Sequence, residues 1–131
     1  MISSSLRHES PLFVKTRDFA VWLLQHTSKF PRQYRHSLTE RVENAALELL
    51  EALGEAAIVK TDGSLEKADL RLWQVRQHLR IAQDLGLFPA RVMEHAAGRM
   101  DELGRLIGGW KRKAGGITAA AAGASGRLVQ Q

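Results

Sequence analysis

Between Lys29 and Ala57 the sequence reads KFPRQYRHSLTERVENAALELLEALGEAA, with apolar residues at Leu38, Val42, Ala45, Ala46, Leu49, Leu50 and Leu53. Gaps of three and four residues place all of these on one stripe of a helix. Pro31 suits a first helical position, where its missing N–H costs nothing. Gly54 offers a stop, but Glu55-Ala56-Ala57 can carry the helix another turn, so the spacing predicts one helix of about six turns. A stripe that long needs apolar partners of matching length. The rest of the chain supplies three.

The first partner precedes it. Ser10-Pro11 reads as an N-cap followed by proline at the first helical position, and the helix should run to about Ser28. Its inner face is Phe13, Ala20, Leu23, Leu24 and Thr27, widened by Leu12, Phe19 and Val21. Trp22 falls near the opposite side, as a boundary residue or a subunit contact. After a turn over Val59–Gly63, Asp62 or Ser64 can cap a third helix whose core series is Leu65, Ala68, Leu72, Val75, Leu79 and Ala82. Gly86 ends it as a left-handed cap. Leu70 and Ile81 lie on the back of that helix, and two large aliphatics on one such face mark a second packing surface.

Phe88-Pro89 opens the fourth helix, with a stripe of Val92, Ala96, Leu103, Ile107 and Trp110 flanked by Met100 and Leu106. Ala97, Gly104 and Gly108 share a neighbouring face. Glycine inside a helix costs about 1 kcal/mol against alanine, so these invite a reason, and close approach of another helix is the obvious one. Residues 1–9 form a polar lead, and from Ala114 onward the glycine- and alanine-rich sequence has little to bury, so a disordered tail is expected there. Residues 10–113 thus read as one all-α domain, an antiparallel up-down-up-down four-helix bundle.

Composition bounds the chemistry. Among 131 residues there is no cysteine, hence no disulfide framework, thiolate metal site or cysteine nucleophile. That fits a reducing cytosol, and a cytoplasmic location is expected. No apolar run approaches the roughly 20 residues of a membrane span, and the start lacks the apolar stretch of a signal peptide. No glutamate has a histidine three residues downstream, as carboxylate-bridged metal bundles require, and the histidines lack zinc-binding spacing. Glu40, Glu43, Glu48 and Glu51 read as a solvated face. No catalytic or metal site is expected, and no cofactor.

The net charge of +5 favours an acidic partner such as nucleic acid. Basic residues cluster at Lys29, Arg32, Arg35 and His36, along the third helix at Lys67, Arg71, Arg76, His78 and Arg80, and at Arg105, Lys111, Arg112 and Lys113. Trp73 shares a flank with Arg76 and Arg80. An indole beside guanidinium groups can stack on a base while the charges hold phosphates. Equally, Trp73 can seal the core edge while the arginines pair with Asp69, Asp84 or glutamates of a neighbouring helix. Arg32 and Arg35 carry the same alternative.

The succession F-P-R-x-x-R, LTERVENAALELLEAL, LRLWQVRQHLRIAQDLGL (Leu70–Leu87) and MDELGRLIGGW (Met100–Trp110) resembles the Avd family. These are accessory variability determinants of diversity-generating retroelements, related to four-helix-bundle proteins encoded in 23S rRNA intervening sequences. The likeness covers about residues 10 to 113 and lies in several segments matching in order. It implies a non-catalytic homopentameric barrel that binds a reverse transcriptase and its template RNA, or an RNA/DNA hybrid, and supports mutagenic cDNA synthesis. On that implication Leu70, Ile81, Gly104 and Gly108 are candidates for subunit contacts. Arg32, Arg35, Arg71, Trp73, Arg76, Arg80, Arg105, Lys111 and Arg112 are candidates for contact with nucleic acid or polymerase. A scaffold of the intervening-sequence branch, with no polymerase partner, is the alternative.

Overall fold

A computed structural model describes residues 10–60 and 62–130, with side chains to residue 115. The polar lead expected over residues 1–9 lies outside them. The described residues form four α-helices and no strand: α1 Pro11–Thr27, α2 Glu40–Gly54, α3 Ser64–Asp84 and α4 Ala90–Gln130.

Ser10 caps α1 as expected, its Oγ accepting from the Phe13 N–H at 3.4 Å. Pro31 differs from expectation. Its ψ of 145° places it outside the helix as the cap, one step before the first turn. The chain then winds through a tight 3₁₀ turn at Arg32–Tyr34 and a wide π turn at Arg35–Thr39 before α2 begins, and unwinds through a second π turn at Glu55–Val59. In that second turn the Lys60 N–H reaches back five residues to the Glu55 carbonyl at 2.8 Å. The single long helical element is therefore present, with ends wound differently from its middle. Apolar spacing reports where side chains point, not which amide a carbonyl takes.

No side chain caps α3, contrary to expectation: Gly63, at φ 85°, is the cap, and Ser64 is buried with its Oγ unpartnered. The other end behaves as its sequence implies. Gly86 has φ 77°, its N–H donates to the Gln83 carbonyl, and the Leu87 N–H donates to that of Ala82. Those bonds close a Schellman motif. The fourth helix does not stop at Lys113. Its backbone stays helical to Gln130 through the stretch expected to be disordered, a stretch that holds a run of alanine and no proline.

Cross-helix contacts fix the arrangement. Arg41 faces His78, Glu48 pairs with Arg71 and Glu55 with Lys67, so α2 and the turn after it ascend as α3 descends. Asp69 pairs with Lys111 and Arg76 with Asp101, making α3 and α4 antiparallel. Phe13 meets Trp110 while Trp22 meets His95, which orders α1 and α4 the same way. The core between them holds Leu12, Phe19 and Leu23 of α1, Val42, Leu49 and Leu53 of α2, Leu72, Val75 and Leu79 of α3, and Met100, Leu103 and Ile107 of α4. Each such side chain contributes about 1.5–3 kcal/mol by leaving water. Val21 is 53% exposed and stands outside the face predicted for it.

Trp22 is not on the far side of α1. It lies in the α1–α4 seam, stacked on Phe19 and Phe88 at 6.0 and 6.2 Å, with His26 at 4.2 Å and His95 at 4.9 Å. The Arg99 guanidinium sits 5.9 Å above its ring. A wheel drawn from α1 alone omits the width that α4 adds to the buried face.

Candidate nucleic-acid interface

The third helix is the centre of the basic clusters, and its two flanks are already in use. Toward α2, Arg71 Nε lies 3.2 Å from Glu48 Oε2 and its Nη1 donates to Gln74 Oε1 at 3.0 Å. Toward α4, Arg76 Nη1 donates to Asp101 Oδ1 at 2.9 Å and Nη2 donates to the Met100 carbonyl at 3.0 Å. Lys111 reaches back from α4 to Asp69 at 2.7 Å, and this hydrogen bond, with the Asp69 charge, holds its ammonium above the usual lysine range. On the other side of α4, Lys15 of α1 lies 2.7 Å from Glu102, whose carboxyl is held below its ordinary value chiefly by that lysine.

Three of the residues picked out for ligand contact, Arg71, Arg76 and Lys111, thus tie helices together in the monomer. Exposed pairs of this kind contribute between nothing and about 1 kcal/mol each. Arg76 does more, because it also satisfies a backbone carbonyl. Among the described residues the remaining candidates have no partner on another helix. Arg80 and Arg105 are exposed on α3 and α4, and Arg32 and Arg35 project at the α1–α2 junction. Arg112 curls over its own helix, its Nη1 3.5 Å from where a Cβ on Gly108 would stand.

Trp73 does not seal the core. It is 57% exposed, and Leu70 at 49%, Ile81 at 48% and Leu85 at 48% continue the same outward strip. Spacings of three, eight and four residues keep these side chains on one face of the helix. Sequence reasoning found Leu70 and Ile81 there, assigned Trp73 to a flank, and missed Leu85, whose place four residues after Ile81 was the available signal. Arg80 borders the strip.

The glycines divide. A Cβ at Gly104 would meet Arg76 Nη2 at 3.4 Å and Leu72 Cδ2 at 3.7 Å, so the close approach it permits is to α3 of its own chain. Gly108 meets only Arg112 of its own helix.

An open cleft of about 500 Å³, which apolar spacing does not foretell, lies at the α1–α2 junction. Thr27, Phe30, Pro31, Arg32, Arg35, His36, Thr39, Glu40 and Glu43 are among the residues lining it. It exists because the 3₁₀ and π turns carry Arg32, Arg35 and His36 around the end of α1 before α2 straightens. Among the described residues no group of three or more histidine, aspartate or glutamate side chains could hold a metal ion, and no helix is long and apolar enough to cross a membrane.

A comparison with curated proteins returns no match. The pattern of bundle, exposed α3 strip and bordering arginines coincides with the segment that a known family description covers, residues 12–114 under the description bAvd-like. That match spans most of the chain, and the protein belongs to the bAvd-like family.

Proposed function

We propose that the protein is the accessory subunit of a diversity-generating retroelement. It assembles with copies of itself as a homopentamer and binds the reverse transcriptase with its template RNA; the polymerase supplies the chemistry. Membership of the bAvd-like family supports the accessory role. The observation that carries the assembly half is the α3 strip of Leu70, Trp73, Ile81 and Leu85, an apolar surface bordered by Arg80, which has no partner among the described residues. A helix already committed to a core has no reason within the monomer to display a second apolar face. Arg32 and Arg35 add positive charge with no ion-pair partner among the described residues, which leaves them open to a polyanion.

Co-expression with a retroelement reverse transcriptase and its template RNA from the same genome tests the reading. Recovery of a salt-sensitive complex containing all three is the expected result. A polymerase that purifies without this protein, with and without the RNA, would overturn it.

A further inference from the structure

We propose that the cleft at the α1–α2 junction takes one nucleotide of the bound RNA and distinguishes it from DNA through the ribose 2′-hydroxyl, an inference that rests on the RNA-binding reading above. Its lining has the chemistry of a nucleotide's three parts. Arg32, Arg35 and His36 face the same space as Glu40 and Glu43, yet no ion pair joins the two sets among the described residues. Opposite charges sharing a cleft without closing on each other leave both available to a ligand that carries an anion and a hydroxyl donor.

Glu43 is prepared for the donor. Thr27 Oγ1 donates to its Oε2 at 2.7 Å, which fixes the carboxylate and leaves Oε1 free to accept. Thr39 Oγ1, in the same lining, is buried with no partner. Phe30 and Pro31 form an apolar wall, and the Phe30 ring is braced edge-on by Phe88 at 5.7 Å and 88°. A base can lie on that wall while the guanidinium groups hold the phosphate and Glu43 accepts from the 2′-hydroxyl, with Glu40 beside it. Proteins tell RNA from DNA at a given site through that hydroxyl. The volume is that of a small-molecule site, and the open mouth lets a strand pass through.

The test uses the full chain and two single strands of about 12 nucleotides, oligo(U) and oligo(dU), which differ only in the 2′-hydroxyl. Fluorescence anisotropy should show oligo(U) binding about tenfold tighter, the worth of one charge-assisted hydrogen bond. Glu43→Gln should bring the two affinities to within about twofold of each other, since the loss of its negative charge beside the phosphate acts on both strands alike and the loss of the acceptor on oligo(U) only. Arg32→Gln with Arg35→Gln should weaken both strands alike and flatten their salt dependence. Circular dichroism checks each fold, and Glu40→Gln, at an exposed position, carries the same readout if Glu43→Gln does not fold. Equal affinity of the unaltered protein for the two strands, or a preference untouched by the carboxylate changes, overturns the inference alone. Failure to bind either strand overturns the RNA-binding reading with it.

Discussion

Arg76 and Asp101 face each other across the α3–α4 seam at 2.9 Å, and the same guanidinium donates to the Met100 carbonyl at 3.0 Å. This makes Arg76 a different kind of residue from Arg80, one helical turn away, which has no partner among the described residues. Replacing Arg76 with glutamine should cost about 1 kcal/mol and lower the melting midpoint by a few degrees, roughly 2–8 °C. Its effect on RNA affinity should be small. Arg80→Gln should do the reverse, leaving the midpoint in place while weakening RNA binding and reducing the salt slope by about one. Thermal melts and a salt series on the two single variants separate these roles.

Gly104 meets α3 of its own chain, so enlarging it should act on the monomer first. A Cβ there falls 3.4 Å from Arg76 Nη2, an ordinary contact with the end of a flexible side chain. Gly104→Ala should therefore fold, gaining up to about 1 kcal/mol of helix propensity, with the oligomer unaltered. Gly104→Leu has no room beside Leu72 and should lower the melting midpoint. A Gly104→Ala protein that kept its midpoint but changed its state of association would instead place this glycine between subunits.

How much was legible in the sequence depends on whether a residue's role is decided within its own helix. Ser10 and Gly86 act through local backbone geometry, and both were readable. So were most of the apolar stripes, and the outward pair Leu70 and Ile81, because period alone separates the faces of a helix. Trp22, Arg76 and Gly104 were not, since each is defined by what the facing helix brings: Phe88 and His95, Asp101, and Leu72 with Arg76. Clusters of charge read along a chain cannot show which members are already neutralised across a seam. The junction cleft was hidden for a related reason, being made by π and 3₁₀ winding that leaves no mark on apolar spacing.

His78 gives the fold a pH dependence of definite sign. Burial, and secondarily the Arg41 charge, lowers its pKa from the ordinary 6.5, and its Nδ1 is buried without a partner. The folded state thus binds the proton less readily than the unfolded chain. Stability from this site is complete above 6.5 and is lost as pH falls from there through the lowered folded value. Denaturant midpoints measured between neutral and mildly acidic pH should fall less steeply for His78→Gln than for the unaltered protein. Parallel curves would mean that the imidazole accepts its proton equally in both states.

The strip of Leu70, Trp73, Ile81 and Leu85 makes the assembly testable without assuming its subunit number. If it is the face through which copies associate, Leu70→Glu with Ile81→Glu places two charges where apolar side chains would meet, and each must be desolvated for the contact to form. In the monomer both positions are about half exposed, at 49% and 48%, so the same charges stay in water. The double variant should therefore keep its helicity while light scattering reports a fall from oligomer to monomer at tens of micromolar. Leu79→Glu supplies the contrast. That side chain, two residues before Ile81 on the opposite face of the same helix, is fully buried in the core, and the change should abolish folding itself. A monomeric unaltered protein at those concentrations, or an oligomer that survives both charges, would show that the α3 strip serves a partner other than its own copies.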